Sequence, residues 1–219
     1  MFVFPLVLVA AVALLLGWYA WSLLLVVLTL YVLWFFRNPE RITPTRGDAI
    51  IAPADGRVVA AGIVPCDQFE GGQALRVAVF MSLFNVHINW APATGEVESA
   101  EHFRGSFLNA MDDKSSEQNE RRILRMRLAC GSRIVVRLVA GLVARRIVSP
   151  VDTGDRLSRG EKIGLIRFGS RAEVLLPADS SLQVAMGDRV RGGETILALL
   201  ARNPAAAINT ADTGDHAAD

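Results

Sequence analysis

A mainly β domain behind an N-terminal hydrophobic helical membrane segment is the fold this 219-residue chain predicts. Three observations carry it. Residues 1–36 hold no charged side chain. From about Gly47 onward, short runs rich in Val, Ile and Phe are bounded by Gly, Pro and Asp, the punctuation of strands and turns. Two stretches 33 residues apart nearly repeat, "GDRLSRGEKIGLI" from Gly154 and "GDRVRGGETILAL" from Gly187.

The apolar segment comes first. One straight helix of 36 residues would reach about 54 Å, against a hydrocarbon core of about 30 Å. The segment is therefore a long tilted helix or a helical hairpin. "GWYAW" (17–21) offers a bend with aromatics suited to a membrane interface, so the hairpin is preferred. No basic stretch opens the chain and no small-residue cleavage site precedes Arg37, which disfavours a cleaved signal peptide. Arg37, Arg41 and Arg46 follow at once. That positive charge predicts a cell-membrane protein with the rest of the chain on the cytoplasmic side.

Residues 37–202 read as one β-rich domain. "AIIAPADGRVVAAGIV" is strand, turn and strand. "RILRMRLACGSRIVVRLVAG" alternates arginine with apolar residues, as two antiparallel arms joined near Cys130-Gly131 do, with the arginines on a solvated face. "GLVARRIVSP" fits a helix or a strand. Two Gly-Asp-Arg copies fall short of a solenoid. They predict a pseudo-duplicated barrel or sandwich, similar to the barrel-sandwich hybrid modules that carry biotin or lipoate. No lysine lies between the copies to serve as such a carrier. Residues 203–219, small and polar, are expected to be a disordered tail.

Composition removes several functions. A formal net charge of +1 and no basic run argue against nucleic acid. Cys66 and Cys130 form no CxxC or Cys/His cluster, so no metal is expected, and both read as core thiols of a reducing compartment. Gly-Ser occurs at 105–106, 131–132 and 169–170, each a turn when taken alone, and GxSxG is absent around them. Gly169-Ser170 differs in interrupting a strand pattern, "IGLIRFGSRAEVLLP", where glycine marks a bulge or a close approach. His216 lies in the tail and His102 in polar surroundings. His87 sits in the apolar "FNVHINWAP", where a lone histidine is ordinarily a hydrogen-bonded core residue. Asp55 in "APADG" reads as a turn cap. A non-enzymatic membrane-anchored barrel-sandwich adaptor accounts for the apolar segment and the echo, but not for His87, Asp55 and Gly169-Ser170 together.

Six stretches in order, "FFRNPER", "IIAPADGRVV", "VFMSLFNVHINWAPATGEVE", "GSFLNAMDDKSSEQNER", "VAGLVARRIV" and "RGEKIGLIRFGSR", resemble the short-type phosphatidylserine decarboxylase proenzymes, from about Phe35 to about Leu200. Long-type members carry Leu-Gly-Ser-Thr and a second histidine three residues before the position of His87. Here those places read "RFGSR" and Phe84. The resemblance implies self-cleavage between Gly169 and Ser170 into two chains, α and β. It implies a covalent pyruvoyl group derived from Ser170, and a Schiff base with membrane phosphatidylserine that yields phosphatidylethanolamine and CO2. It implies His87 as base and proton donor, its ordinary pKa near 6.5 suiting both roles. Asp55 would be the carboxylate that orients it. The polar stretch 113–121 matches without a role, and a homo-oligomer is compatible with the sequence.

Overall fold

The computed structural model describes residues 3–106, 110–111, 115–141, 146–166 and 169–201. The expected tail lies outside them.

The uncharged N-terminus forms two helices, α1 (Val3–Leu15) and α2 (Tyr19–Phe35). Gly17 turns the chain between them at φ +74, a conformation that glycine adopts without strain. Ser22 Oγ donates to the Ala10 carbonyl at 3.0 Å and ties the pair side by side. The helices reach about 20 and about 26 Å, short of a core of about 30 Å. No helix among the described residues is long and apolar enough to cross a membrane. The long single helix is thereby corrected to a short hairpin.

The domain is mainly β. Its strands are β1 (Ala49–Ile51), β2 (Gly56–Pro65), β3 (Gln73–Met81), β4 (Ile88–Trp90), β5 (Gly95–Phe103), β6 (Arg121–Leu128), β7 (Arg133–Val139), β8 (Ile147–Val148), β9 (Arg156–Leu157), β10 (Lys162–Ile166), β11 (Ser170–Pro177), β12 (Ser181–Leu182), β13 (Arg189–Val190) and β14 (Ile196–Leu199). One large curled sheet runs β13-β2-β3-β11-β7-β6-β5-β9, and two small sheets run β1-β14-β12 and β4-β10-β8. The core lies on the inner face of the large sheet, where Val77, Val79, Met81, Leu124, Met126, Val136, Leu138, Ala172 and Val174 are buried together.

The order of the large sheet reads the same from both ends once β1 is matched to β4, β2 to β5, β3 to β6, β11 to β7, β12 to β8, β13 to β9 and β14 to β10. The small sheets match in the same way. Backbone bonds repeat as well. Gly187 N–H meets the Val58 carbonyl as Gly154 N–H meets that of Val97, each at 2.8 Å. Gly193 N–H meets Ala52 as Gly160 N–H meets Ala91, each at 2.9 Å. The echo thus extends beyond the Gly-Asp-Arg copies, and "APADG" (52–56) is answered by "APATG" (91–95).

This correspondence locates an insertion. In the second half, β6 turns directly into β7, with Leu128 N–H bonded to the Ser132 carbonyl. In the first half, β3 pairs with β11 and Met81 stands opposite Ser170. There the turn is replaced by the entire second half, β4 to β10. The chain leaves β3 through residues 82–87 and re-enters at Gly169. His87 therefore closes the outward crossing and Gly169-Ser170 the return. Gly131-Ser132 is the matched dipeptide, and both glycines have positive φ, +84 and +63.

The alternating arginines of β6 and β7 lie on the outer face as expected, none of them buried. Arg125 and Arg127 pair at the surface with Glu101 and Glu98. Arg171 and Glu173 on β11, however, are fully buried. Arg171 Nε lies 2.7 Å from Glu173 Oε1, Arg137 Nη1 lies 3.8 Å from Oε2, and Ser116 Oγ donates to Oε1 at 2.6 Å. A buried charge needs such pairing. It also gives the polar stretch 113–121 a structural part, although residues 113 and 114 lie outside those described. Cys66 is buried, but Cys130 is exposed in the β6–β7 turn, so only one thiol is a core residue.

Candidate active site

Ser170 begins β11 and is fully buried. Its Oγ donates to the Met81 thioether at 3.2 Å, a weak acceptor. The preceding carbonyl is held from one side. A side chain on Gly141 would place its Cβ 1.9 Å from Gly169 O, so only glycine admits that approach.

His87 is buried, and its carbonyl accepts the Ile166 N–H at 3.2 Å, which ties the two crossings together. Nδ1 lies 3.0 Å from the Asn85 carbonyl, an acceptor, so the proton belongs on Nδ1. Nε2 is then a bare lone pair, buried and without a hydrogen-bond partner. Phe35, at the end of α2, covers the imidazole with ring centroids 4.4 Å apart. Burial lowers the pKa to about 4; the Asn85 bond opposes this and the Arg37 charge adds to it. The expected ordinary value near 6.5 is corrected accordingly. His87 is neutral at physiological pH.

Asp55 bonds elsewhere in this form. Its oxygens lie 2.8 and 2.9 Å from Arg41 Nη2, and Oδ1 accepts the Gly192 N–H at 2.8 Å. No hydrogen bond joins it to His87 among the described residues. A carboxylate bonds a guanidinium more strongly than a neutral imidazole, whose Nδ1–H is already taken. The matched residue in the second half is Thr94, whose Oγ1 accepts the Arg159 N–H at 3.0 Å. Both side chains thus cap matched turns, as the plain turn reading of "APADG" has it. Asp55→Ala should cost about 3 kcal/mol, because the nearly buried Arg41 keeps only its longer contact to Glu194, at 3.8 Å. Asp55→Thr, which keeps an acceptor for Gly192, should cost less. Urea midpoints check this. Equal losses, or lost processing at unchanged stability, would return Asp55 to His87.

Two residues escaped the sequence. Asn89 on β4 is fully buried with Oδ1 unpartnered, and its Nδ2 reaches the same Met81 sulfur at 3.7 Å. Gly141 had no signal beyond its place in "VAGLVARRIV". Phe84 faces outward, packed on Trp34 at 6.4 Å. His102 lies 3.6 Å from Glu120 at the surface, away from the site.

A buried imidazole, hydroxyl and carboxamide with no adequate partners are what an enzyme holds ready, at a cost that a scaffold module has no reason to bear. The comparisons with known proteins agree. The family model for phosphatidylserine decarboxylase matches residues 28–198. A phosphatidylserine decarboxylase proenzyme of Symbiobacterium thermophilum is 48% identical over 91% of this chain and 92% of its own. Those of Citrifermentans bemidjiense, 45% identical over 84% of each chain, and Cupriavidus pinatubonensis, 48% identical over 82% and 83%, are similar. The chain belongs to the phosphatidylserine decarboxylase family.

Proposed function

We infer that this chain is a carboxy-lyase that converts phosphatidylserine to phosphatidylethanolamine and CO2, after cutting itself between Gly169 and Ser170. The observation that carries the cleavage is the pair of groups buried at the two crossings, His87 Nε2 with no hydrogen-bond partner and Ser170 Oγ with only a thioether for one. In the first step His87 Nε2 takes the hydroxyl proton and Oγ attacks the Gly169 carbonyl carbon. The tetrahedral centre collapses with loss of the C–N bond, giving an ester and a free Ser170 amine. Removal of the Ser170 α-proton then expels the Gly169 carboxylate and leaves a dehydroalanine. Water replaces its nitrogen, ammonia departs, and a pyruvoyl group remains. No hydrogen bond joins His87 to Ser170 in this form, so the first step needs a small approach of the two crossings.

The pyruvoyl carbonyl would supply the electrophile and electron sink that decarboxylation of an amino acid requires. The chain supplies what surrounds it. The apolar neighbours of Ser170 exclude water, and His87 Nε2, free to take the proton that the substrate ammonium must lose, is the group positioned to return it to the carbon that lost CO2. The exposed apolar surface of α1 and α2, continued by Leu83 and Phe84, supports attachment to the cell membrane from the cytoplasmic side. Membranes washed with alkaline carbonate should retain the protein, convert phosphatidylserine to phosphatidylethanolamine, and yield two chains by intact mass. Release into the wash would reduce the attachment to a peripheral one. An uncut active chain would end the self-cleavage reading.

A further inference from the structure

We propose that Asn89 is a substrate-binding residue of this site: its carboxamide holds the amino-acid end of the headgroup, Nδ2–H donating to the carboxylate and Oδ1 accepting from the amine. The assignment rests on Ser170 being the reactive centre.

The fold alone gives no reason for an amide here. The position matched to Asn89 in the first half is Ile50, on β1, fully buried and part of the apolar core. A branched hydrocarbon therefore serves this place in the architecture. Asn89 is equally buried, yet Oδ1 has no partner and the Nδ2 contacts are long, 3.5 Å to the Pro53 carbonyl and 3.7 Å to Met81 Sδ. Buried amides are normally paired, and one left half-unpaired destabilises its fold. A residue retained at that cost is retained for a partner that arrives later.

Its surroundings say where the partner sits. Met81 Sδ is contacted from one side by Asn89 Nδ2 and from another by Ser170 Oγ. His87 lies two residues earlier in the chain, just ahead of β4, and is buried as Asn89 is. The carboxamide and the hydroxyl of the reactive residue thus meet at one thioether. A carboxamide offers one donating end and one accepting end. An α-amino acid head offers the complement, carboxylate oxygens and an amine. Loss of CO2 removes the acceptor that Nδ2 binds, so the product amine keeps only the Oδ1 bond. Substrate is thereby held more tightly than product.

The test compares Asn89→Leu with wild type, both purified with their N-terminal helices and assayed on phosphatidylserine in detergent micelles. The variant should cut itself normally and carry the same amount of hydroxylamine-reactive carbonyl. It should melt at or above the wild-type temperature. Its kcat/KM should fall about 10- to 150-fold, the loss of a hydrogen bond to a charged group, while inhibition by phosphatidylethanolamine weakens less. Asn89→Ala, which only removes volume, repeats the comparison should leucine not be accommodated. A cut, carbonyl-bearing variant with kcat/KM within twofold of wild type would overturn the assignment and leave the pyruvoyl reading standing. Variants that stay uncut and melt lower would make Asn89 a fold residue and overturn it too. A wild-type protein without the carbonyl would instead remove the foundation.

Discussion

Ser170→Ala leaves one chain that folds, does not cut itself and does not decarboxylate phosphatidylserine. The change removes a single hydroxyl whose one hydrogen bond goes to a thioether, so the fold should lose no more than about 1 kcal/mol. In the proposed mechanism that oxygen attacks Gly169 and then leaves with its carboxylate, and without this departure residue 170 cannot become the reactive carbonyl, so the functional loss should be complete. The chain carries its own control. Gly131-Ser132 is the matched dipeptide, with the same sign of φ at glycine, but it lies in a surface hairpin turn and Ser132 is only half-buried. Ser132→Ala should be silent, and intact masses of the wild type should place the cut after residue 169 and never after 131. A Ser170→Ala protein that still appears as two chains would move the cut elsewhere and end the mechanism.

His87→Ala should accumulate uncut chain, slowed about 10²- to 10⁴-fold, the usual cost of a missing general base. The pH dependence sharpens this. The imidazole is neutral and its pKa is lowered to about 4, so the rate of self-cleavage should be flat from neutral pH to about 5 and fall as pH approaches 4. A group with pKa near 6.5 would have bent the profile two units higher. Stability follows the same proton. The unfolded chain protonates His87 near pH 6.5 and the folded one near 4, so the unfolded state binds more protons between those values. The contribution is fully present above about pH 6.5 and lost as pH falls to about 4, on the order of 3 kcal/mol. Urea midpoints at pH 7 and pH 5 should therefore differ more for wild type than for His87→Ala. A normally processed His87→Ala protein would confine this histidine to packing or to a later step.

Much of this was legible in the chain because it is written in periodicity and spacing. Alternation over 123–128 and 132–138 gave two antiparallel arms, and they are β6 and β7. The uncharged 36 residues with a glycine near their middle gave a helical hairpin. Gly169-Ser170 and His87 stood out through ordered motifs. What the chain did not declare were pairings made across the fold. Arg171 and Glu173 look like a surface alternation until β11 is known to be covered on both faces. Nothing in "APADG" announces that Arg41, 14 residues earlier, holds Asp55. Asn89 looks like any polar residue beside a turn, and only its burial and its apolar counterpart Ile50 set it apart.

The insertion that separates β3 from β11 also decides what a cut at Gly169 does to the molecule. The piece beginning at Ser170 contributes β11, between β3 and β7 in the large sheet, and β14, between β1 and β12 in a small one. It is therefore not a tail released by proteolysis but a guest seated inside its host. Before the cut, unfolding is a one-body event and the four strands β11 to β14 find their places while tethered. Afterwards it is a two-body event, in which the pieces diffuse apart and their return depends on concentration. On the proposed mechanism the peptide bond would serve as scaffolding for a single assembly, and its loss would leave a reactive end at the middle of the sheet.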